Sequence, residues 1–382
     1  MATFRPLLSS HSATSILNIN GRNFVVSGHV AEVSFRNDGS RKWTNIRGFA
    51  KQLLQCSSYS TDTPAEFTRG HFQKYIPRRA VMYVPASDLR KIAKIPTLGV
   101  DCVVFDCEDG VAVNKKEEAR NHIRKYLDNY SKNSSARPEI TVRVNSVQSG
   151  LCQQDLETIL PARHLPSSIH VPKVDGVDHL KWFTETATKI LGKGRNIHQK
   201  INLIIFVESA MSLLSLPHIC QTAWDLSTKS HFVPDAVVFG SDDYCADIGA
   251  TRTNEAKELL YARQYIVSVA KAFKLQAIDI VYIDYKDTEG LRKQAIEGAQ
   301  MGFTGKQIIH PTQVPICQEA FTPSLEKIEW ARELIQGFEK HQKSGKGAFT
   351  FRGQMIDMPL VLQARNIVQL AEIVEKATAT TS

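Results

Sequence analysis

The sequence predicts a closed (β/α)₈ TIM barrel, an α/β fold, with a C-terminal helical extension. From residue 78 onward, short apolar runs of strand length alternate with helical stretches. The runs are apolar on both faces, which is typical of parallel strands covered by helices. There are eight of them, which favours a closed barrel over an open doubly wound sheet. No run is followed by the G-x-G-x-x-G loop that would support the open alternative.

The eight runs lie at regular intervals along the chain. The intervals have the length and apolar pattern of crossover helices, for example residues 115–130 and 254–273. The predicted strands are AVMYVPA (80–86), CVVFDCE (102–108), ITVRVN (140–145), SIHVPKV (168–174), NLIIFVES (202–209), AVVFGSD (236–242), DIVYID (279–284) and GKQIIHP (305–311).

Beyond the eighth run, the helical pattern of the sequence predicts two more helices, over residues 324–345 and 360–376. Between them, residues 346–359 predict a glycine-containing loop, which is longer than a simple connection needs. We therefore divide the chain into a tail (1–72), a barrel domain (73–315) and a C-terminal segment (316–382).

Composition and charge limit the classes of protein to which this chain can belong. The 382 residues are 42% hydrophobic and 23% charged, as in an ordinary globular protein. Of the net charge of +8, residues 1–60 supply +5, and no basic stripe is interleaved with aromatic residues, so we expect no nucleic-acid partner. No apolar run approaches the ~18 residues of a membrane span, so we expect no membrane partner. Seven cysteines without a CxxC pair predict reduced, mostly buried thiols.

The N-terminal tail has the composition of a mitochondrial address. Residues 1–31 contain no acid but contain arginines and many serines and threonines, and more arginines follow. The alternative is a disordered basic extension without a targeting role. We expect residues 1–72 to lie outside the folded barrel.

Polar residues lie at the carboxyl ends of the predicted strands, where barrels of this class place their active sites. Glu208 and Asp243 end the neighbouring strands 5 and 6, and two such carboxylates can ligate Mg²⁺. Histidine and cysteine are absent from this pair, which argues against zinc. The alternative is that the acids cap helices or pair with basic side chains. The other strand-end residues are Tyr83, Asp106, Glu108, Asp109, Arg143, Asn145, Lys173, Asp242, Asp284 and His310.

Basic residues suggest where an anionic ligand could bind. Arg143 lies within an apolar strand, so it must meet an anion: Asp106 or Glu108, a substrate oxygen, or both. Arg90 and Lys94, four apart on a helix, either solvate that helix or receive phosphates.

Two further residues have both a structural and a functional interpretation. His310, at the end of strand 8, is either structural or part of a site. Asp357 is the only acid within 341–371 and lies between apolar neighbours, which suits a general acid/base. It could equally be the N-cap of the helix that follows, because Pro359 lies at a first-turn position.

Seven motifs in order resemble the citrate lyase β-subunit-like family of acyl-CoA lyases, from about Lys74 to Glu375. They are RRAVMYVPA (78–86), VVFDCEDGVAVNKKEEAR (103–120), VRVNS (142–146), FVESAMSLL (206–214), VVFGSDDYCADIGA (237–250), GFTGKQIIHP (302–311) and GKGAFTFRGQMIDMP (345–359).

The resemblance implies a barrel of the pyruvate/phosphoenolpyruvate-type superfamily, in a homotrimer whose C-terminal segment reaches over a neighbouring subunit. It implies Mg²⁺ as the cofactor and a mitochondrial matrix location. The residues that match the family's functional positions are Glu208 and Asp243 for the metal, Tyr83, Arg90, Lys94, Arg143, Ile309 and His310 for the substrate, and Asp357 as catalytic acid/base.

The reaction that the resemblance implies is Mg²⁺-dependent cleavage of an acyl-CoA thioester. We expect (3S)-citramalyl-CoA to give acetyl-CoA and pyruvate, with a malate-synthase-type side activity. The alternatives are a lyase for malyl-CoA or a related thioester, and a non-catalytic CoA-binding subunit.

Overall fold

The computed structural model describes three N-terminal strands and residues 76–130, 138–192, 200–343 and 349–379. The chain divides into two units, residues 1–74 and 75–382. In the first unit, Phe4–Pro6, Thr14–Ile19 and Arg22–Ser27 form an antiparallel sheet in chain order. The predicted targeting tail falls mainly on residues outside those described, and it stays a prediction.

In the second unit, eight parallel strands close into a barrel, which confirms the predicted fold. Neighbours in sequence are neighbours in space, and the last strand pairs with the first through Lys306 and Ala80. The strands are β1 (Ala80–Pro85), β2 (Cys102–Asp106), β3 (Glu139–Arg143), β4 (Ser168–Val171), β5 (Ile201–Val207), β6 (Phe232–Phe239), β7 (Gln276–Asp279) and β8 (Gly305–Ile308).

Helices follow the strands around the barrel. They are α1 (Leu89–Lys94), α2 (Lys116–Asn129), α3 (Cys152–Ile159), α4 (Val177–Leu191), α5 (Ala210–Ser227), α6 (Ser241–Ile248), α7 (Leu260–Ala272), α8 (Thr288–Met301) and α9 (Val314–Ala320). Short 3₁₀ turns cover Ile95–Thr97, Val113–Lys115, Val147–Ser149, Lys257–Leu259 and Pro311–Gln313.

Strand alternation decides which side chains enter the barrel. In β1, Ala80, Met82 and Val84 pack outward against the helices, while Val81 packs inside the barrel with Tyr83 against it. Ile204 and Phe206 of β5 also point inward. Because side chains alternate along a strand, the same phase brings the next position, residue 208, to the inside at the carboxyl end. The interior therefore contains these apolar side chains and is polar at the carboxyl end.

Three predicted elements differ clearly from the observed ones. The sixth strand is Phe232–Phe239 rather than the predicted run over 236–242, so Asp242 and Asp243 lie on α6 and not at a strand end. The seventh strand is Gln276–Asp279, rather than the predicted run over 279–284, and Asp284 is exposed well beyond its end. The helix predicted over 254–273 is regular only over Leu260–Ala272, preceded by a 3₁₀ turn. The six cysteines in the described residues are free and buried, as predicted.

The C-terminal segment has a small core of its own. Helices α10 (Leu325–Lys343) and α11 (Met358–Ala379) pack together with a hairpin of β9 (Phe349–Phe351) and β10 (Gln354–Ile356). The predicted loop is thus largely this hairpin, closed by Arg352 and Gly353, both with positive φ. Two such residues form the tight turn that suits a twisted hairpin.

Within the part of the chain that the structure describes, no helix combines the length and the apolar character needed to cross a membrane.

Candidate active site

Arg143 is held at the mouth of the barrel by a two-pronged ion pair. Asp106 and Arg143 are direct register partners on β2 and β3. The guanidinium donates through Nε and Nη2 to the two Asp106 oxygens, each at 2.8 Å. Nη1 lies 2.9 Å from Glu108 Oε2 and 3.4 Å from Asp109 Oδ2. The predicted pairing of Arg143 with strand-2 acids is therefore present, and it fixes the orientation of the guanidinium.

Tyr83 lies beside this guanidinium and carries an unused polar group. The Arg143 Cζ atom is 5.1 Å from the centre of the Tyr83 ring. The Tyr83 hydroxyl is buried and has no hydrogen-bond partner among the described residues. Burial raises the pKa of this phenol, which therefore remains a hydrogen-bond donor at neutral pH. A ligand atom or an ordered water can satisfy an orphaned buried donor of this kind.

Glu208 is a buried carboxylate at the end of β5. Its Oε2 accepts a 2.6 Å hydrogen bond from the Lys173 amide. Burial, together with the negative charge of Glu108, raises the pKa of Glu208 to about 8. Gly240, at the end of β6, leaves room for this side chain: a Cβ at position 240 would lie 2.6 Å from Glu208 Oε1. The neighbouring residues therefore accommodate a buried acid whose ionisation is energetically costly unless a cation binds to it.

Asp243 faces the same space from the first turn of α6, and a lysine links it to the strand-2 acids. The Lys173 ammonium lies 3.0 Å from Glu108 Oε1, 3.2 Å from Asp109 Oδ1 and 3.7 Å from Asp243 Oδ2. Burial opposes the charged form of Lys173, but the surrounding carboxylates outweigh it and raise the pKa of its ammonium. The carboxylate cluster thus attracts a cation strongly.

The donor chemistry of this cluster fits magnesium. Glu208 at the end of β5 and Asp243 in the first turn of α6 offer hard carboxylate oxygens, which Mg²⁺ prefers. Mg²⁺ commonly takes one or two carboxylates and completes its shell with water and substrate. Among the described residues no group of three or more histidine, cysteine or acidic residues is arranged to hold an ion. Two protein carboxylates suit a metal that shares its shell with water and a ligand.

Three neighbours of the predicted ligands and substrate-binding residues are strand-end residues for which the sequence predicts at most an ion pair. Asp106 orients Arg143, Glu108 contacts both Arg143 and Lys173, and Lys173 joins the two halves of the cluster. Burial raises the pKa of Glu108 to about 7, against the opposing effect of Arg143. The sequence signal for these pairings is charge balance, since converging acids require nearby cations.

The predicted phosphate-binding residues lie on an exposed helix. Arg90 and Lys94 are both exposed on α1, which is capped by Asp88 through the amides of Arg90 and Lys91. This arrangement leaves both cationic groups available to solvent or to a ligand.

The residues predicted after strand 8 lie on a short, ordered turn. Ile309 is 46% exposed, and His310 stacks on Tyr285 with ring centres 4.5 Å apart. The His310 Nδ1 atom lies 2.8 Å from Thr312 Oγ1. Gln313 accepts hydrogen bonds from the amides of Ile309 and His310. The turn therefore has a structural role of its own.

Asp357 lies in the C-terminal segment and is exposed. Its Oδ1 accepts a 3.3 Å hydrogen bond from the Leu360 amide at the start of α11. The N-cap alternative is therefore present within the chain, while a catalytic role for Asp357 stays a prediction.

Comparisons with known proteins agree with this fold. A family model described as HpcH/HpaI aldolase/citrate lyase matches residues 79–311. The Mus musculus protein named citramalyl-CoA lyase, mitochondrial, is 54% identical over 303 residues, 79% of this chain and 88% of that protein. The Homo sapiens protein of the same name is 53% identical over 321 residues, 84% of this chain and 93% of that protein.

A solved structure is also similar. Protein CitE from Mycobacterium tuberculosis, in complex with magnesium, acetoacetate and coenzyme A, is 27% identical, with a TM-score of 0.59. The match covers 78% of this chain and 98% of that chain.

Proposed function

The chain belongs to the HpcH/HpaI aldolase/citrate lyase family and is a carbon–carbon lyase, and we propose that it cleaves (3S)-citramalyl-CoA to acetyl-CoA and pyruvate with Mg²⁺ as cofactor. The observation that carries the proposal is the buried Glu208, which Lys173 links to Asp243 within the same carboxylate cluster as Arg143. Identity of 54% to a protein named citramalyl-CoA lyase supports the choice of substrate.

The metal would be held by Glu208 and Asp243. When bound, Mg²⁺ supplies Lewis-acid stabilisation of negative charge on substrate oxygens. Gly240 and the Lys173 amide position the Glu208 carboxylate for that role. Since the pKa of Glu208 is about 8, its carboxyl group is mostly protonated near neutral pH. Metal binding near neutral pH therefore releases that proton.

Arg143 and Tyr83 would bind the reacting part of the substrate. The Tyr83 hydroxyl is a buried donor without a partner among the described residues, and the Arg143 guanidinium is fixed against it by Asp106. Preorganised donors stabilise an enolate oxygen because they need not reorient as charge develops. Arg90 and Lys94 on α1 would receive the CoA phosphates, while Ile309 and His310 would line the substrate.

Asp357 would be the general acid/base that transfers a proton to or from the substrate carbon. In cleavage, its carboxyl group donates a proton to the terminal carbon of the acetyl-CoA enolate, and in condensation it removes one. Asp357 lies at the start of α11, in a segment whose apolar core is separate from those of the barrel. We therefore propose a homotrimer in which this segment brings Asp357 to the barrel mouth of a neighbouring subunit.

The substrate is tested by comparing two thioesters. Citramalyl-CoA cleavage releases pyruvate, and malyl-CoA cleavage releases glyoxylate, so coupled assays for the two products separate the alternatives. We expect the higher kcat/KM with citramalyl-CoA. A higher value with malyl-CoA would replace the proposed substrate, and no release from either would favour a non-catalytic CoA-binding protein. Condensation of acetyl-CoA with glyoxylate tests the malate-synthase-type side activity.

The proposed location is the mitochondrial matrix. The acid-free, arginine- and serine-containing composition of residues 1–31 supports it, as do the names of the mammalian relatives, which include the word mitochondrial.

A further inference from the structure

Lys173 has two distinct contacts with the carboxylate cluster. Its backbone amide donates to Glu208 Oε2 at 2.6 Å, and its side-chain ammonium lies 3.7 Å from Asp243 Oδ2. One residue therefore touches both proposed metal ligands, through different groups. Its backbone has φ of +52°, the left-handed conformation that side chains other than glycine adopt infrequently. That conformation accompanies the amide contact to Glu208.

The ammonium has other carboxylates within reach. It lies closer to Glu108 and Asp109, at 3.0 and 3.2 Å, than to Asp243. The Lys173 side chain is 34% exposed, so its flexible stem is not locked by packing. The ammonium can therefore leave Asp243 and keep two carboxylate partners.

A lysine ammonium and Mg²⁺ compete for the same kind of partner. Both are hard cations that carboxylate oxygens bind, and like charges that share a carboxylate repel each other. In the protein without metal, the ammonium lowers the repulsion among Glu108, Asp109 and Asp243. When metal binds, the same ammonium opposes it.

We propose that Lys173 is a built-in counter-cation that holds the carboxylate cluster together in the metal-free enzyme and lowers its affinity for Mg²⁺. Lys173 is thus a positioning residue, with its amide orienting Glu208 and its ammonium setting the strength of metal binding. The inference rests on the proposed metal site at Glu208 and Asp243.

The test is calorimetric titration of Mg²⁺ into the metal-free full chain. Lys173→Asn and Lys173→Gly remove the charge. Both replacement residues tolerate positive φ and retain the backbone amide donor. Losing a cation a few ångströms from the metal should tighten Mg²⁺ binding on the order of tenfold. The metal-free form of both variants should melt at a lower temperature than the wild type, because the carboxylates lose their counter-cation.

Two controls separate charge from damage. Lys173→Arg keeps a cation and should bind Mg²⁺ no more tightly than the wild type. Lys181→Met removes a lysine that pairs with Asp178 on the exposed face of α4, and should leave the affinity unchanged. A variant with general structural damage binds metal more weakly, so tighter binding is not explained by damage.

The outcomes distinguish this inference from the proposed function. If wild-type protein binds Mg²⁺ and both neutral variants bind it equally or more weakly, the role of Lys173 is wrong and the metal site stands. If the wild type binds no Mg²⁺, or Glu208→Gln binds it equally well, the metal site itself is wrong and this inference fails with it. Should a metal-free variant be too unstable to titrate, the rise of its melting temperature with Mg²⁺ gives the same comparison.

Discussion

Gly240 lies directly against Glu208, so closely that a Cβ atom at position 240 would be 2.6 Å from the Glu208 Oε1 atom and nearer still to its Cγ. Gly240 has φ of −81°, which any residue can adopt, so its backbone does not require glycine. The absence of a side chain instead makes space for a buried acid. A residue outside the proposed ligand set therefore determines where a proposed ligand sits.

We expect Gly240→Ala to lower Mg²⁺ affinity and turnover by about 10- to 100-fold, because displacing a ligand from its support has that effect in metal sites. Mg²⁺ titration and steady-state kinetics measure it. Gly176→Ala is the matched control, since a Cβ there meets nothing within 4 Å and the backbone is extended. Equal effects of the two substitutions would rule out the proposed space for Glu208.

The raised pKa of Glu208, about 8, predicts a pH dependence with a definite sign. Between the ordinary carboxyl pKa and about pH 8, the folded metal-free protein holds a proton that the unfolded chain has released. The contribution of this group to stability is therefore fully present below the ordinary pKa and is lost as pH rises toward 8.

Mg²⁺ affinity should change in the opposite direction, rising with pH through the same interval, because the metal displaces that proton. Melting temperatures at pH 6 and pH 8.5, with and without Mg²⁺, measure both effects. Glu208→Gln should weaken both effects, because its amide does not titrate, while the neighbouring Glu108, with a pKa raised to about 7, still titrates in this interval. A pH dependence as large as that of the wild type would mean that Glu208 does not contribute to it.

We expect Asp357→Asn to lower kcat by about 10²- to 10⁴-fold, the range of general acid–base catalysis, and to leave Mg²⁺ and thioester binding nearly intact. Asparagine caps a helix as well as aspartate does, so the start of α11 and the stability should be preserved. If Asp357 is only an N-cap, the variant keeps wild-type activity.

The proposed subunit exchange has a separate test. Asp357→Asn and Glu208→Gln chains, each inactive alone, should regain partial activity when mixed oligomers form, because a wild-type Asp357 then meets a wild-type Glu208. Failure to regain activity in confirmed mixed oligomers would mean that each site is built from one chain.

The tail is tested in cells. Residues 1–60 fused to a fluorescent reporter should direct it into the mitochondrial matrix, because the segment has a net positive charge and no acid before Glu32. A reporter that remains in the cytosol would contradict the targeting role without affecting the enzyme assignment.

The barrel was predictable because apolar runs and helical intervals repeat locally, but β7 shows the limit of that signal. This strand contains Asp279, which is fully buried and paired at 2.8 Å with the equally buried Arg263 of α7. The apolar pattern took this acid as the start of the strand, because its partner, 16 residues earlier on α7, does not show in that pattern. Tertiary neutralisation of a charge is not visible in local periodicity.

The site shows the same division between local and distant information. The strand-end acids could be recognised from their positions, but the choice of partner for Arg143 depended on the register that sets it opposite Asp106. The role of Lys173 depended on a backbone conformation and on the convergence of two strands and a helix. For Asp357 the N-cap contact is within the chain, while the proposed catalytic role depends on a second chain.

The most direct test of the account is the release of pyruvate from (3S)-citramalyl-CoA, followed with a coupled lactate dehydrogenase assay, for wild-type protein and Glu208→Gln with and without Mg²⁺. We expect rapid pyruvate release by wild-type protein with Mg²⁺, loss of that release when the metal is chelated, and little release by Glu208→Gln in either condition. Pyruvate release that persists without metal, or that is equal in the two proteins, would contradict a magnesium-dependent lyase built on Glu208.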